Sequence, residues 1–487
     1  MFLGRFMQQA INRAYRKIGA VLLLMAFLAS PTIALDAVTP ARPDIVVLLL
    51  DDMRYDQWTA AGHPYIQTPN FDELAKRGVV LDRMYVTSPV CGPSRASMLT
   101  GRMPSTHGRL NNLVWPEQLG GAYLPSVFHQ AGYRTAIIGK DYEKQSVDMH
   151  REQSWTRQFL LVGPTWPAES KGFTPQQRKD YYETHEYYDQ EYELDGKKQT
   201  IPGHQTDVVL DELQRFALES TDPYFAFVCP FAPHTPWNPS KERLGKYTGK
   251  GVPPRPDLEL DALPPAKRKM ATDGHERTAE MIEDVDAALG RVVKALRDAG
   301  RLEQTIIIIT SDNGTMLGEK GLLWKQRPYE ICERVPMIWF GPGADQLKEA
   351  GVLDQPVSQA DILPTLAAMV GAPLPEDDRR YGKSMLEPRD NVLVMQYPFD
   401  INNPDIVPNS LAWASLVGKR YKLTLRAQDA LAIDPYAGPA VELFDLSKDP
   451  YEMHNLAQSD PDGMLATMKE ALMQQLHSHG AEIKLSD

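Results

Sequence analysis

Cys91 opens a run whose residue types and spacing suit the handling of an anion: Cys91-Gly92-Pro93-Ser94-Arg95-Ala96-Ser97-Met98-Leu99-Thr100-Gly101-Arg102. Proline is tolerated in the first turn of a helix, where its missing N–H has no partner to lose. Ser94 to Leu99 is therefore predicted as helix, with Gly101 as its stop. The thiol would sit at the positive end of that helix, among unpaired backbone donors, with Arg95 one turn later. Such a place can hold an anion beside a nucleophile. On local grounds alone the competing reading is a buried structural cysteine, the common fate of a lone thiol.

Four other groups with chemistry to offer follow apolar, strand-like runs. Asp51 and Asp52 follow Asp44 to Leu50 (DIVVLLL), and Lys140 follows Tyr133 to Gly139 (YRTAIIG). His234 lies in the Pro-rich loop after Tyr224 to Cys229 (YFAFVC), and Asp312-Asn313-Gly314 comes after Thr305 to Thr310 (TIIIIT). In open α/β sheets ligands bind beyond the carboxyl ends of the strands, so these tips would share one rim. Carboxylates gathered there repel one another unless a cation neutralises them. Asp51, Asp52, Asp312 and Asn313 offer only oxygen, which selects a hard cation, calcium before magnesium. Taken singly, Asp51-Asp52 and Asp312-Asn313-Gly314 also read as ordinary turns.

The elements that must position these groups read as an α/β fold with a mostly parallel sheet. The strand-like runs above are continuous and β-branched, as strands buried on both faces are. Helices are expected from Thr68-Pro69 to Gly78, over Thr206 to Leu218, along Met281 to Leu296, and over Asp361 to Met369. Tyr142 to Thr200 is polar and aromatic with little periodicity, and is expected to be an insertion at the substrate mouth rather than core. After Asn391 four short extended runs and a helix at about Met464 to Leu476 imply a smaller antiparallel subdomain. The expected division is a signal segment 1–34, a catalytic domain 35–390 and a C-terminal subdomain 391–487.

Composition sets bounds. The chain has 487 residues, with 43% hydrophobic and 24% charged content, ordinary for a soluble globular protein that buries a large core. Arg5, Arg13, Arg16 and Lys17 precede the apolar run Ile18 to Ala29 and the small residues up to Ala34, the pattern of a cleaved export signal. The run is short for a membrane span. Removing this segment, with its four basic and no acidic residues, takes the net charge from −12 to −16. Such a chain does not seek nucleic acid or anionic membranes, so positive charge for an anionic substrate must be concentrated in one pocket. Three cysteines exclude a disulfide scaffold, and whether Cys229 and Cys332 pair is open at this stage.

The run Cys-x-Pro-Ser-Arg followed by Ala-Ser-Met-Leu-Thr-Gly-Arg resembles the signature of the type I sulfatases. The Asp-Asp pair, Gly139-Lys140, the loop Pro233-His234-Thr235-Pro236-Trp237, and Ser311-Asp312-Asn313-Gly314 before Lys325 are similar to that family too. So is Glu442-Leu443-Phe444-Asp445-Leu446 with Asp449-Pro450, Glu452 and Asn455-Leu456, which looks like the family's C-terminal signature. The resemblance implies an alkaline-phosphatase-like sandwich and an exported or periplasmic sulfuric ester hydrolase acting on a sulfated carbohydrate. It implies that a maturation enzyme oxidises Cys91 to formylglycine, whose hydrate attacks sulfur. It further implies that Asp51, Asp52, Asp312, Asn313 and modified Cys91 hold Ca²⁺, and that Arg95 supports the hydrate. Lys140 and Lys325 would bind sulfate oxygens, and His234 would protonate the leaving oxygen. Many sulfatases read Gly-Lys-x-His, whereas Gly139-Lys140-Asp141-Tyr142 has no histidine. The mammalian N-acetylglucosamine-6-sulfatases also lack it, and their Asn-Asn after a His-containing turn resembles His107 with Asn111-Asn112. That likeness makes His107 and Asn112 candidates for substrate binding and points toward amino-sugar 6-sulfates. Two other readings remain: a phosphonate or phosphodiester hydrolase of the same superfamily, and a non-catalytic binder of sulfated glycans.

Overall fold

The computed structural model describes residues 42–112, 122–140, 154–164, 171, 173–397, 412–427, 438–481 and 485. The proposed signal segment, Trp115, Asp141, Tyr142 and His150 lie outside the described residues. A nine-stranded sheet forms the centre. Its strands in chain order are β1 (Asp44–Leu50), β2 (Val79–Val80), β3 (Arg134–Gly139), β4 (Arg157–Pro164), β5 (Gln190–Leu194), β6 (Lys197–Thr200), β7 (Tyr224–Cys229), β8 (Thr305–Ser311) and β11 (Met337–Phe340). Two short strands, β9 (Met316–Leu317) and β10 (Leu323–Trp324), pair as a separate antiparallel ladder.

The spatial order is β2-β11-β8-β1-β7-β3-β4-β5-β6. β8, β1, β7, β3 and β4 run parallel, with Leu48 of β1 beside Val228 on one side and Ile309 on the other. Antiparallel strands close both edges. Successive residues of β1 go to opposite faces. Ile45, Val47 and Leu49 enter one core cluster with Met98, Leu99, Ile362 and Leu366, whereas Val46, Leu48 and Leu50 enter another with Leu210, Leu213, Ile282 and Leu289.

Helix α1 (Pro69–Arg77), α3 (Gln205–Leu218) and α4 (Pro265–Asp298) cover the second face; α2 (Cys91–Thr100) and α6 (Ile362–Val370) cover the first. The layers are those of an α/β sandwich. α1 begins with Pro69 at its first turn, and α2 ends at Gly101 in the left-handed conformation, as the sequence implied.

The stretch expected to be an insertion is partly core. β4, β5 and β6 extend the central sheet, and Phe159, Tyr187 and Tyr192 are buried in it. Their apolar residues alternate with Gln158, Glu191 and Glu193, so the polar average of the segment concealed strands at a sheet edge.

The C-terminal strands β12 (Asn391–Gln396), β13 (Trp413–Gly418), β14 (Tyr421–Arg426) and β15 (Val441–Asp445) form a separate antiparallel sheet in sequence order. Helix α7 (Met464–Ser478) packs Met468, Leu472 and Leu476 against it. The short helix α5 (Glu330–Glu333) lies between β10 and β11 in the sequence. Cys229 and Cys332 are both buried and form no disulfide among the described residues. No helix among the described residues is long and apolar enough to cross a membrane.

Candidate active site

The four strands whose ends were singled out in the sequence, β8, β1, β7 and β3, are neighbours, so their tips meet. Asp312 N–H donates to Leu50 C=O, Asp51 N–H to Ala232 C=O, and Lys140 N–H to Cys229 C=O. Gly139 has a φ of +102°, and a Cβ there would lie 2.2 Å from Cys229 O; only glycine lets β3 turn against β7 and deliver Lys140.

Helix α2 brings Cys91 in as its first residue, wholly buried. Ser94 anchors the helix to the loop after β8: its hydroxyl donates to Asp312 C=O, while Gln359 Nε2 donates to Ser94 C=O at 2.6 Å. A Cβ at Gly92 would come 2.4 Å from Arg109 Nε and 2.6 Å from Asn112 Oδ1, so any larger residue there would displace both side chains. Asn112 Oδ1 accepts the Gly92 N–H at 2.9 Å, satisfying one donor of the helix end beside Cys91.

Around Cys91 Sγ, Asp51 Oδ1 lies at 3.4 Å and Lys325 Nζ at 2.6 Å. Lys325 Nζ also donates to Asp52 Oδ1 at 2.6 Å, and Lys140 Nζ donates to Asp51 Oδ2. Arg95 spans two carboxylates, with Nε to Asp312 Oδ2 at 2.9 Å and Nη2 to Asp51 Oδ2 at 3.2 Å. His234 Nε2 is 3.8 Å from Asp52 Oδ2, and the other ring nitrogen, Nδ1, lies 2.5 Å from Thr235 C=O. Tyr187 O–H fixes the loop by donating to His234 C=O at 2.6 Å.

One ligand atom from each of Asp51, Asp52, Cys91 and Asp312 falls within 4.8 Å of the others. Asn313 Oδ1 points into buried surroundings with no hydrogen-bond partner, although its Nδ2 donates to Asp52. An orphaned carbonyl oxygen beside three carboxylates is what a hard cation needs. The donor set fits calcium. Asp52 holds a left-handed φ of +72°, a strained conformation of the kind found at ligand clamps.

The electrostatics follow from burial and proximity. Burial alone would raise the Asp51 carboxyl, but Lys140, His234, Arg95 and Lys325 outweigh it and hold Asp51 well below the usual carboxylate range. Burial, then Asp312 and Asp51, push the Cys91 thiol far above its ordinary value. Burial and the nearby Lys140 lower His234 to about 3.

His107 and Asn112 stand behind this group. His107 ends the short helix Pro104–His107 and is buried against α2, with Nε2 3.0 Å from Ser97 Oγ and Nδ1 accepting the Arg109 N–H at 3.1 Å, and burial and Arg109 lower it to about 3. Both ring nitrogens are thus engaged with the protein. Sequence reasoning missed Arg109, Gln359 and Trp324. Trp324 precedes Lys325, has a left-handed φ of +74° and is 43% exposed. Its ring stacks on Trp237, centroids 6.1 Å apart. Only an exposed aromatic next to a charged loop residue marked it in the sequence.

A family model described as Sulfatase matches residues 43–372, more than half of the chain. The chain belongs to the sulfatase family. It is a sulfuric ester hydrolase with the alkaline-phosphatase-like α/β fold. The N-acetylglucosamine-6-O-sulfatase of Bacteroides thetaiotaomicron is similar at 26% identity, over 85% of this chain and 82% of that protein. A structure solved in complex with its substrate, D-glucosamine-2-N,6-O-disulfate, superposes with a TM-score of 0.73 at 21% identity, covering 91% of this chain and 99% of that one. The phosphonate monoester hydrolase of Agrobacterium radiobacter shares the fold, with a TM-score of 0.67 at 22% identity, covering 90% and 96% of the two chains.

Proposed function

We propose that this sulfatase removes sulfate from a sulfated carbohydrate, using formylglycine made from Cys91 and a Ca²⁺ ion held by Asp51, Asp52, Asp312, Asn313 and residue 91. The observation that carries the reading is the convergence of Cys91, three carboxylates and the orphaned Asn313 Oδ1 at four adjacent strand tips. Bound there, the ion would supply Lewis acidity toward a sulfate oxygen and lower the pKa of a hydroxyl beside it. The oxidised side chain would supply, as its hydrate, one hydroxyl to attack sulfur and a second to release sulfate.

The residues of the chain have separable tasks. Arg95 fixes Asp51 and Asp312 as ligands and adds positive charge beside residue 91. Lys140 and Lys325, each already on a carboxylate, are placed to share sulfate oxygens and to offset charge that develops during transfer. With Nδ1–H donated to Thr235 C=O, His234 would present a neutral Nε2 that takes the proton lost by the attacking hydroxyl of oxidised residue 91 and gives it to the departing alkoxide. The Trp237–Trp324 stack beside Lys325 offers an aromatic face for a sugar ring.

The amino-sugar 6-sulfates named for the relatives support that class of substrate here. Export through segment 1–34 and an external enzyme that oxidises Cys91 belong to the same proposal. The test is sulfate release from N-acetylglucosamine 6-sulfate and glucosamine 6-sulfate, measured beside hydrolysis of a phosphonate monoester. Sulfate release is expected to exceed phosphonate hydrolysis by about 10²-fold in kcat/KM; faster phosphonate hydrolysis would overturn the assignment.

A further inference from the structure

The C-terminal signature has no task in the chemistry above, yet it reaches the loop that carries Lys325. Glu452, in the turn after β15, makes three ties. Its Oε2 accepts the Glu330 N–H at 2.8 Å, and its Oε1 accepts from Lys422 Nζ at 2.7 Å. Its backbone carbonyl accepts from Lys320 Nζ at 2.5 Å. One residue therefore grips both ends of the segment from 320 to 330, with Lys325 midway between them.

That segment is strained. Lys320, Trp324 and Gln326 all have left-handed φ angles, +50°, +74° and +72°, and Glu452 itself has +57°. None is glycine, so each conformation costs free energy and persists only where the surroundings impose it. The segment's own ladder is short, the two-residue pairing of β9 with β10. Besides the Lys320 N–H that donates to Asp257 C=O and the Trp237–Trp324 stack, support comes from the C-terminal sheet and the signature. Trp413 Nε1 donates to Gln326 C=O at 3.1 Å, and Tyr329 O–H donates to Glu442 Oε1 at 3.5 Å. Lys422 is itself fixed by pairing with Glu333 of α5.

We infer that Glu452 is a positioning residue for Lys325: it pins the loop at residues 320 and 330 and so sets the ammonium against residue 91 and Asp52. The inference rests on the reading of Lys325 as a sulfate-binding cation. The signature thereby gains a role in the reaction of the α/β domain, although it lies more than 100 residues beyond the last strand tip of the site.

The test is a mutant cycle read as kcat and KM on the sulfated sugar, with the formylglycine content of each variant measured so that failed maturation is separated from lost positioning. Lys325→Ala is expected to lower kcat/KM by about 100-fold and Glu452→Ala by about 10- to 100-fold. Glu452→Gln, which keeps an acceptor for the Glu330 N–H, should recover to within about 5-fold of wild type, and Glu452→Ala placed on Lys325→Ala should add less than about 2-fold. An equal cost of Glu452→Ala in both backgrounds would overturn the inference, because Glu452 would then act elsewhere. Full activity in Lys325→Ala would instead remove the reading on which it rests. If Glu452→Ala does not fold, Lys320→Met cuts the carbonyl tie, together with the ammonium's place over the Tyr329 ring, and should lower kcat/KM by about 3- to 10-fold, an effect lost in the Lys325→Ala background; unchanged kcat/KM in Lys320→Met would overturn the inference.

Discussion

Two clusters of buried charge differ in how they are closed. At the strand tips Asp51, Asp52 and Asp312 face Arg95, Lys140 and Lys325, and the cluster opens toward solvent through Lys325 and His234, 15% and 23% exposed. Under the C-terminal sheet Glu330, Glu333 and Glu452 surround Lys422, which has no exposed surface at all. The first keeps an unpaired acceptor in Asn313 Oδ1 and a strained Asp52, the marks of a site that completes itself with a ligand. The second spends its ionic contacts on the protein's own loop. Similar residue types thus serve chemistry in one place and support in the other.

A series of substitutions and conditions sharpens that contrast, beginning with the largest effect. Cys91→Ala should lower kcat by more than about 10⁴-fold while leaving the melting temperature within a few degrees of wild type, because only the open cluster loses a reacting group. Near-normal sulfate release in that variant would dissolve the distinction. Lys422→Met should destabilise the fold by about 3–5 kcal/mol in urea denaturation, since it leaves buried carboxylates without their cation. Lys325→Met should cost less, about 1–2 kcal/mol, because Asp52 retains the Asn313 amide as donor. Equal losses would mean that the two clusters do the same work.

Removing divalent cations, or replacing Asp312 with Asn, should lower kcat/KM by about 10²-fold and abolish the rise in melting temperature that added Ca²⁺ gives the wild type. A Ca²⁺-independent melting temperature in the wild type would count against the ligand set. The smallest effect is a pH dependence of the sealed cluster. Burial, with Glu330 and Glu333 adding to it against Lys422, pushes Glu452 up from 4.5 to about 8. A raised carboxyl favours the folded chain while protonated, so this contribution is complete below the unfolded value and is lost as pH rises through about 8. Between about pH 6 and about pH 9 the wild type should lose about 2–3 kcal/mol more than Glu452→Gln, which cannot titrate. Parallel pH profiles would show that Glu452 does not carry the proton.

Much of the fold was legible because two properties are local. The runs Asp44 to Leu50 and Thr305 to Thr310 are apolar on both faces, so they could only be central strands, and the residues at their ends were fixed by that placement. Cys91, Gly101 and Arg95 declared a helix start, a helix stop and one turn between. Residues whose role depends on contacts remote in sequence were silent. Gln359 matters because it holds Ser94, 265 positions away, and Arg109 because it lies against Gly92. Glu452 was visible as part of a signature, but its partners come from two other segments, Lys320 and Glu330 from one and Lys422 from another. Strands β4 to β6 were misread because edge strands need only one apolar face, and their charged residues dominated the average.

The central claim is that position 91 carries an oxidised side chain aimed at sulfur from beside a cation. Mass spectrometry of the peptide containing residue 91, taken from protein made in its own host, tests this most directly. The account requires an aldehyde there, with the sulfur gone and the carbonyl trapped by a hydrazine reagent. An intact, alkylatable thiol in fully active protein would contradict it.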